Sequence, residues 1–204
     1  KMQHQVPNKG FAILYRTNAQ SRSMEEALRK LNVPYRIYGG LSFYQRKEIK
    51  DLVAYFRLVC NPRDEEALKR VINYPTRGIG QTTMDRLMVT ANELEIPIWD
   101  LILDHPDKVQ AHGGTRKALG DFVTLIQSFQ TMMDTHNAHS LGEYIAQKSG
   151  LLKDLFTDKT PEGVSRYENI QELLSGMRSF SEGPVEEGEA DTDQSTELKT
   201  LSDF

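Results

Sequence analysis

The residues with the most chemical promise lie in Tyr74-Pro75-Thr76-Arg77-Gly78-Ile79-Gly80-Gln81-Thr82-Thr83. Gly78 and Gly80 allow a tight turn and remove side chains that would block a close neighbour. Ile79 can anchor the turn in a core while the amides beside it stay exposed. A helix that begins here points its unpaired N–H groups and positive dipole end outward, which suits an anion such as a nucleic-acid phosphate. The same residues also fit an ordinary helix–helix turn broken by glycine. A second group, Arg16, Asn18, Ser21 and Arg22, brings charged forks, an amide and a hydroxyl to a helix start, again suited to phosphates. Helix capping and loop solvation would account for those types equally.

Other chemistries find no support. No Gly-x-x-x-x-Gly-Lys-Ser/Thr segment occurs, so the chain carries no phosphate-binding lysine of that kind. His136 and His139 lack a cysteine partner for a metal site, and Cys60 is the single cysteine, which rules out an internal disulfide. There is no Gly-x-Ser-x-Gly elbow and no carboxylate pair placed for hydrolysis. Tyr35, Tyr38, Phe43, Tyr44, Tyr55 and Phe56 could stack on bases, but core packing explains most of them better.

Two kinds of element must position these groups. Gly10 to Tyr15 is a continuous apolar run, the pattern of a strand buried on both faces. A helix follows with Met24, Ala27, Leu28 and Leu31 on one stripe, ended by Asn32 and Pro34. Tyr35 to Tyr38 reads as a second strand and Gly39-Gly40 as a turn, so the first 42 residues are expected to form a βαβ unit with parallel strands. That places Arg16 to Arg22 at the carboxyl end of the sheet, where α/β folds bind ligands. From Ser42 onward the pattern is helical. Ile49, Leu52, Val53, Phe56 and Val59 share one face, Asn61-Pro62 stops that helix, and Asp64 can cap the next. Helices flank the Gly-Ile-Gly turn, with Leu68, Val71 and Ile72 before it and Met84, Leu87, Met88 and Ala91 after it. Ile96 to Trp99 starts another, broken at His105-Pro106. A long one opens at Gly113-Gly114 with Leu119, Phe122, Ile126, Phe129 and Met133 inward. Ser140 to Glu143 and Ser165 to Glu168 have capping-box spacing, and Leu198, Leu201 and Phe204 suggest one more helix. The fold class is therefore mainly α, a small βαβ piece followed by a helical domain from residue 43 to 204.

The 204 residues carry a net charge of −4, unevenly spread. Residues 1–86 hold 16 Lys/Arg against 8 Asp/Glu, an excess of +8, and the remainder carries −12. A basic half ending just beyond the glycine turn suits a phosphate-binding face, although Glu25, Glu26, Glu48 and Asp51 interleave as they would on a mixed surface. Residues 182–193 are acidic and read as a flexible solvated loop. No apolar run is long enough to span a membrane, and no secretory leader is evident. A reducing, cytoplasmic setting fits, and both chain ends look like cuts in a longer protein.

Phe11 to Arg22 resembles motif IV of the superfamily-one helicases of the UvrD, PcrA and Rep type. Tyr35 to Asp51 is similar to the segment that follows it there. Asn73 to Gly80 resembles the family's Gly-Ile-Gly element, and Arg166-Tyr-Glu-Asn-Ile-Gln-Glu-Leu173 a later signature. The resemblance implies that residues 1–42 are part of a RecA-like motor domain and that the rest is the inserted helical accessory domain called 2B. It implies a 3′–5′ DNA helicase acting in repair or replication, driven by ATP with magnesium. This chain would need no cofactor of its own and would be inactive alone. By the resemblance, Arg16, Asn18, Gln20, Ser21 and Arg22 would contact the tracked single strand, and Thr76, Arg77, Gly78, Ile79, Gly80 and Thr82 the duplex ahead of the fork. The implied partners are DNA at a duplex–single-strand junction, the remaining motor domains and a repair protein. A protein-interaction module and a helicase-nuclease are the alternatives.

Overall fold

The computed structural model describes residues 7–183 and 198–204, and every regular element among them is helical. α1 spans Ser21–Lys30, α2 Lys47–Cys60, α3 Glu65–Val71, α4 Gln81–Leu94, α5 Ile98–Asp104, α6 Gly113–Gln130, α7 Ala138–Lys148, α8 Leu151–Thr157 and α9 Pro161–Glu182. α2 is the axis of the core, because its apolar residues recur on several sides. Ile49, Leu52, Tyr55, Leu58 and Val59 are wholly buried, and the helix packs on α3, α6, α7 and α9. Asn61 and Pro62 end it at Cys60, as their types require. The Asp64 carboxylate accepts from the Ala67 amide at 3.0 Å and so starts α3. α6 buries Phe122 and Phe129 and packs on this axis, while α5 buries Trp99 and packs on α3, α4 and α6, and α4 buries Leu87 and packs on α5.

The expected βαβ piece does not form among the described residues. Phe11 has extended backbone angles, but its segment pairs with no neighbour, and Leu14 is 94% exposed. From Val33 to Tyr38, half-buried Val33, Tyr35 and Ile37 alternate with exposed Pro34, Arg36 and Tyr38, the period of an extended chain. Neither segment becomes a strand, because a strand needs a ladder partner for its N–H and C=O groups and neither segment has one. α1 is likewise reversed from expectation. Its buried residues are Ser21 and Glu25, whereas Met24 and Leu31 of the apolar stripe face outward.

Three smaller expectations also change. α7 is capped by Asn137, whose side chain accepts from the Ser140 amide at 2.8 Å, so Ser140 lies inside the helix. α9 begins at Pro161 with Thr160 as its cap, one turn before Ser165. Leu201 is buried, but residues 198–204 form a turn closed by Thr200 and Asp203 rather than a helix. Glu182 ends α9, and the rest of the acidic stretch lies outside the described residues. Among the described residues no helix is long and apolar enough to cross a membrane, and no His, Cys, Asp or Glu cluster could hold a metal.

Candidate nucleic-acid interface

The hairpin between α3 and α4 is built by three side chains. Ile79 is 1% exposed and pins the turn to the core. Asn73 straps it from within, its side-chain oxygen accepting from the Arg77 amide at 2.9 Å and the Ile79 amide at 3.0 Å. Gly78 adopts φ +78°, a left-handed conformation that only glycine takes without strain. Arg77 is the third and turns inward. Its guanidinium donates to the carbonyls of Val71 at 3.0 Å, Pro75 at 3.1 Å and Ser149 at 2.9 Å, and to the Tyr55 hydroxyl at 2.6 Å. It also lies between the Tyr55 and Phe122 rings, a cation–π arrangement. Tyr55 in turn donates to the Tyr74 carbonyl. Burial pushes the Tyr55 phenol up to about 12, against the pull of the nearby guanidinium, so it stays a neutral donor. The Arg77 charge is thus engaged by carbonyls of the hairpin and of Ser149, while the partly exposed residue also lines a hollow with Ala118, Asp121, Phe122 and Leu125.

What faces outward is backbone. Gly78, Gly80, Gln81 and Thr82 are exposed, and among the described residues their amides have no acceptor. The Gly80 carbonyl accepts from Thr83 and Met84 and so opens α4, a helix of 14 residues whose dipole points its positive end at the same surface. The Thr76 and Thr82 side chains are exposed beside these amides. Asp85 is the nearby acid on α4, and the Gln81 side-chain amide donates to it at 2.8 Å. The arrangement offers a short run of neutral donors to an anion.

The Arg16–Arg22 group divides in two. Arg16 and Asn18 are exposed. Gln20 closes the turn by accepting from the Arg16 amide at 2.9 Å and the Thr17 amide at 3.2 Å. Ser21 is 1% exposed and accepts from Arg46 at 2.7 Å. Arg22 donates to Glu172 on α9 at 2.9 Å and to both Glu26 oxygens at 2.8 Å. Arg46 also donates to the Asn18 carbonyl at 2.7 Å and to Asn169 at 2.9 Å. Burial pulls this guanidinium below its ordinary value, with Glu25 and Glu48 opposing. A shallow hollow of about 440 Å³ is lined by Tyr15, Arg16, Gln20, Ser23, Met24 and Glu172 among others. Sequence reasoning missed Asn73, Arg46, Asn169 and Glu172. An asparagine ahead of a glycine turn is a local clue to the first, since its short amide can hold nearby backbone groups. No local clue exists for the other three, whose partners lie from 25 to 150 residues away.

Known proteins supply the context. The chain is 39% identical over 170 residues to DNA helicase II of Escherichia coli (strain K12), covering 83% of this chain and 24% of that protein. It is 40% identical over 169 residues to DNA helicase II of Haemophilus influenzae, covering 83% and 23%. Against the ATP-dependent DNA helicase PcrA of Staphylococcus aureus (strain Mu50) it is 38% identical over 190 residues, covering 91% and 26%. The chain therefore spans about a quarter of the length of these relatives. The UvrD-like helicase C-terminal domain profile matches residues 1–203, through both the Arg16 turn and the glycine hairpin, and to that family this chain belongs.

Proposed function

We propose that the chain is the DNA-engaging part of an ATP-dependent 3′–5′ helicase of the UvrD/PcrA type, acting in DNA repair or replication. Residues 1–42 belong to the motor domain in this reading and residues 43–204 to its helical accessory domain. The hairpin holds the backbone of the duplex at the fork and regulates unwinding. ATP and magnesium act in another part of the same protein. The remaining motor domains cover the outward apolar face of α1. The observation that carries the reading is that the exposed residues Gly78, Gly80, Gln81 and Thr82 have amides without an acceptor among the described residues. Neutral donors on a turn bind phosphate without reading bases, which is what a helicase needs. At the other site, Arg16 and Asn18 are the members free to meet a strand.

Thr82→Glu tests the hairpin. A carboxylate in the first turn of α4 favours the helix by roughly 0.3–1 kcal/mol, so stability should hold or rise. It also occupies the donors that a phosphate would use. Anisotropy titration with a forked duplex should show a loss of about tenfold in affinity, together with a shallower dependence on salt. Unchanged duplex affinity in a folded Thr82→Glu protein would remove the hairpin from the interface.

A further inference from the structure

Arg22 does not reach solvent as a ligand would, yet it sits behind the hollow that Arg16 lines. Its side chain is 12% exposed and is held at both ends of its fork, by Glu26 on α1 and Glu172 on α9. Gly176 makes room for it, because a Cβ there would collide with the guanidinium. Glu172 is 29% exposed and forms part of the hollow's wall. A carboxylate in the wall would repel a phosphate, and the Arg22 charge at 2.9 Å, shared with Glu26, offsets part of that repulsion. Arg46 adds a second tie across the same gap by bonding the Asn18 carbonyl and Asn169 of α9. α1 and its turn are therefore joined to α9 by directional polar bonds, while Met24 of α1 is exposed and lines the hollow itself.

We propose that Arg22 is a positioning residue that neutralises Glu172 and holds it against α1, so that the hollow beside Arg16 accepts a phosphate group. This rests on the reading of the Arg16 turn as a phosphate contact. The phosphate can belong to a nucleic-acid strand or to a free polyphosphate, and the same chemistry recognises both.

The test measures binding of oligothymidylate and of inorganic triphosphate to the intact protein and four variants. Arg16→Ala reports whether either probe uses this turn. If neither depends on Arg16, the phosphate reading of the turn fails and the inference falls with it. Where a probe does depend on Arg16, Arg22→Gln should weaken it about tenfold, and adding Glu172→Gln should restore most of the loss. A purely structural role predicts the opposite, a double variant at least as weak as the single. Glu172→Gln alone leaves Arg22 its Glu26 partner and should tighten binding about two- to threefold. That variant decides the matter if Arg22→Gln does not fold. A double variant without recovery, or a Glu172→Gln protein that binds no tighter, overturns the proposal.

Discussion

Arg77 shows how far a residue's role depends on which way its side chain turns. On type and position it belongs with the phosphate ligands, but its guanidinium satisfies the carbonyls that end α3 and reaches Ser149 between α7 and α8. Charge-assisted hydrogen bonds to otherwise unpaired carbonyls contribute more than neutral ones, and truncation leaves those carbonyls unsatisfied. Arg77→Ala should therefore cost about 2–4 kcal/mol in chemical denaturation. Loss of DNA affinity should appear only as a consequence of the loosened hairpin. Wild-type stability in that variant would return Arg77 to the surface as a direct contact. Asn73 is the quieter partner, since one amide oxygen sets two backbone amides and leaves their neighbours free.

At the level of elements, the joint between α1 and α2 carries a pH dependence. Glu25 is 3% exposed and accepts from the Phe43 amide at 2.9 Å, the Ser42 hydroxyl at 2.5 Å and the Tyr35 hydroxyl at 3.2 Å. Burial pushes this carboxyl up, but these bonds outweigh it and hold the group below its ordinary value of 4.5. The stabilisation is thus present above pH 4.5 and is lost as pH falls through the lower folded value. Glu25→Gln should flatten the acid limb of a stability-versus-pH curve, and an unchanged limb would show that the bonds are not made. Helix positions were largely legible, because Asn61-Pro62, Asp64, Gly80 and His105-Pro106 are strong local stops and starts. The cap of α7 was less so: Asn137 and Ser140 are both competent, and a stripe of Ala138, Leu141 and Ile145 fits either start. Thr160 followed by Pro161 is a stronger start signal for α9 than the capping-box spacing at Ser165. The strands failed for a different reason, since an apolar run specifies burial but cannot supply the ladder that completes a sheet. The site was legible as residue types, whereas its ties from Arg46 and Arg22 to α9 were set by folding.

Across the whole molecule, charge and apolar surface are both uneven. The basic excess of residues 1–86 holds the hairpin and the Arg16 turn, and Glu172 of α9 lines the hollow beside Arg16. Phe11, Ile13, Leu14, Met24 and Leu31 are all exposed in the first 31 residues, and Ile13, Leu14 and Met24 line the same hollow as Arg16. An apolar set of that kind is a surface for another part of the assembly to cover. Leu14→Asp should then destabilise the intact protein by about 2 kcal/mol, although Leu14 is exposed here. Equal melting of variant and parent would show that nothing covers it.

Carbonyls of the hairpin and of the α7–α8 joint converge inward. Val71, Ile72, Tyr74, Pro75 and Ser149 all turn their oxygens toward Arg77 or Tyr55. With those oxygens drawn inward, the amides of Gly78, Gly80, Gln81 and Thr82 are left without an acceptor among the described residues. Under the proposed role, a nucleic-acid backbone docking there would have to shed the cations that shadow it, and the loop would select the polyanion stripped of its escort.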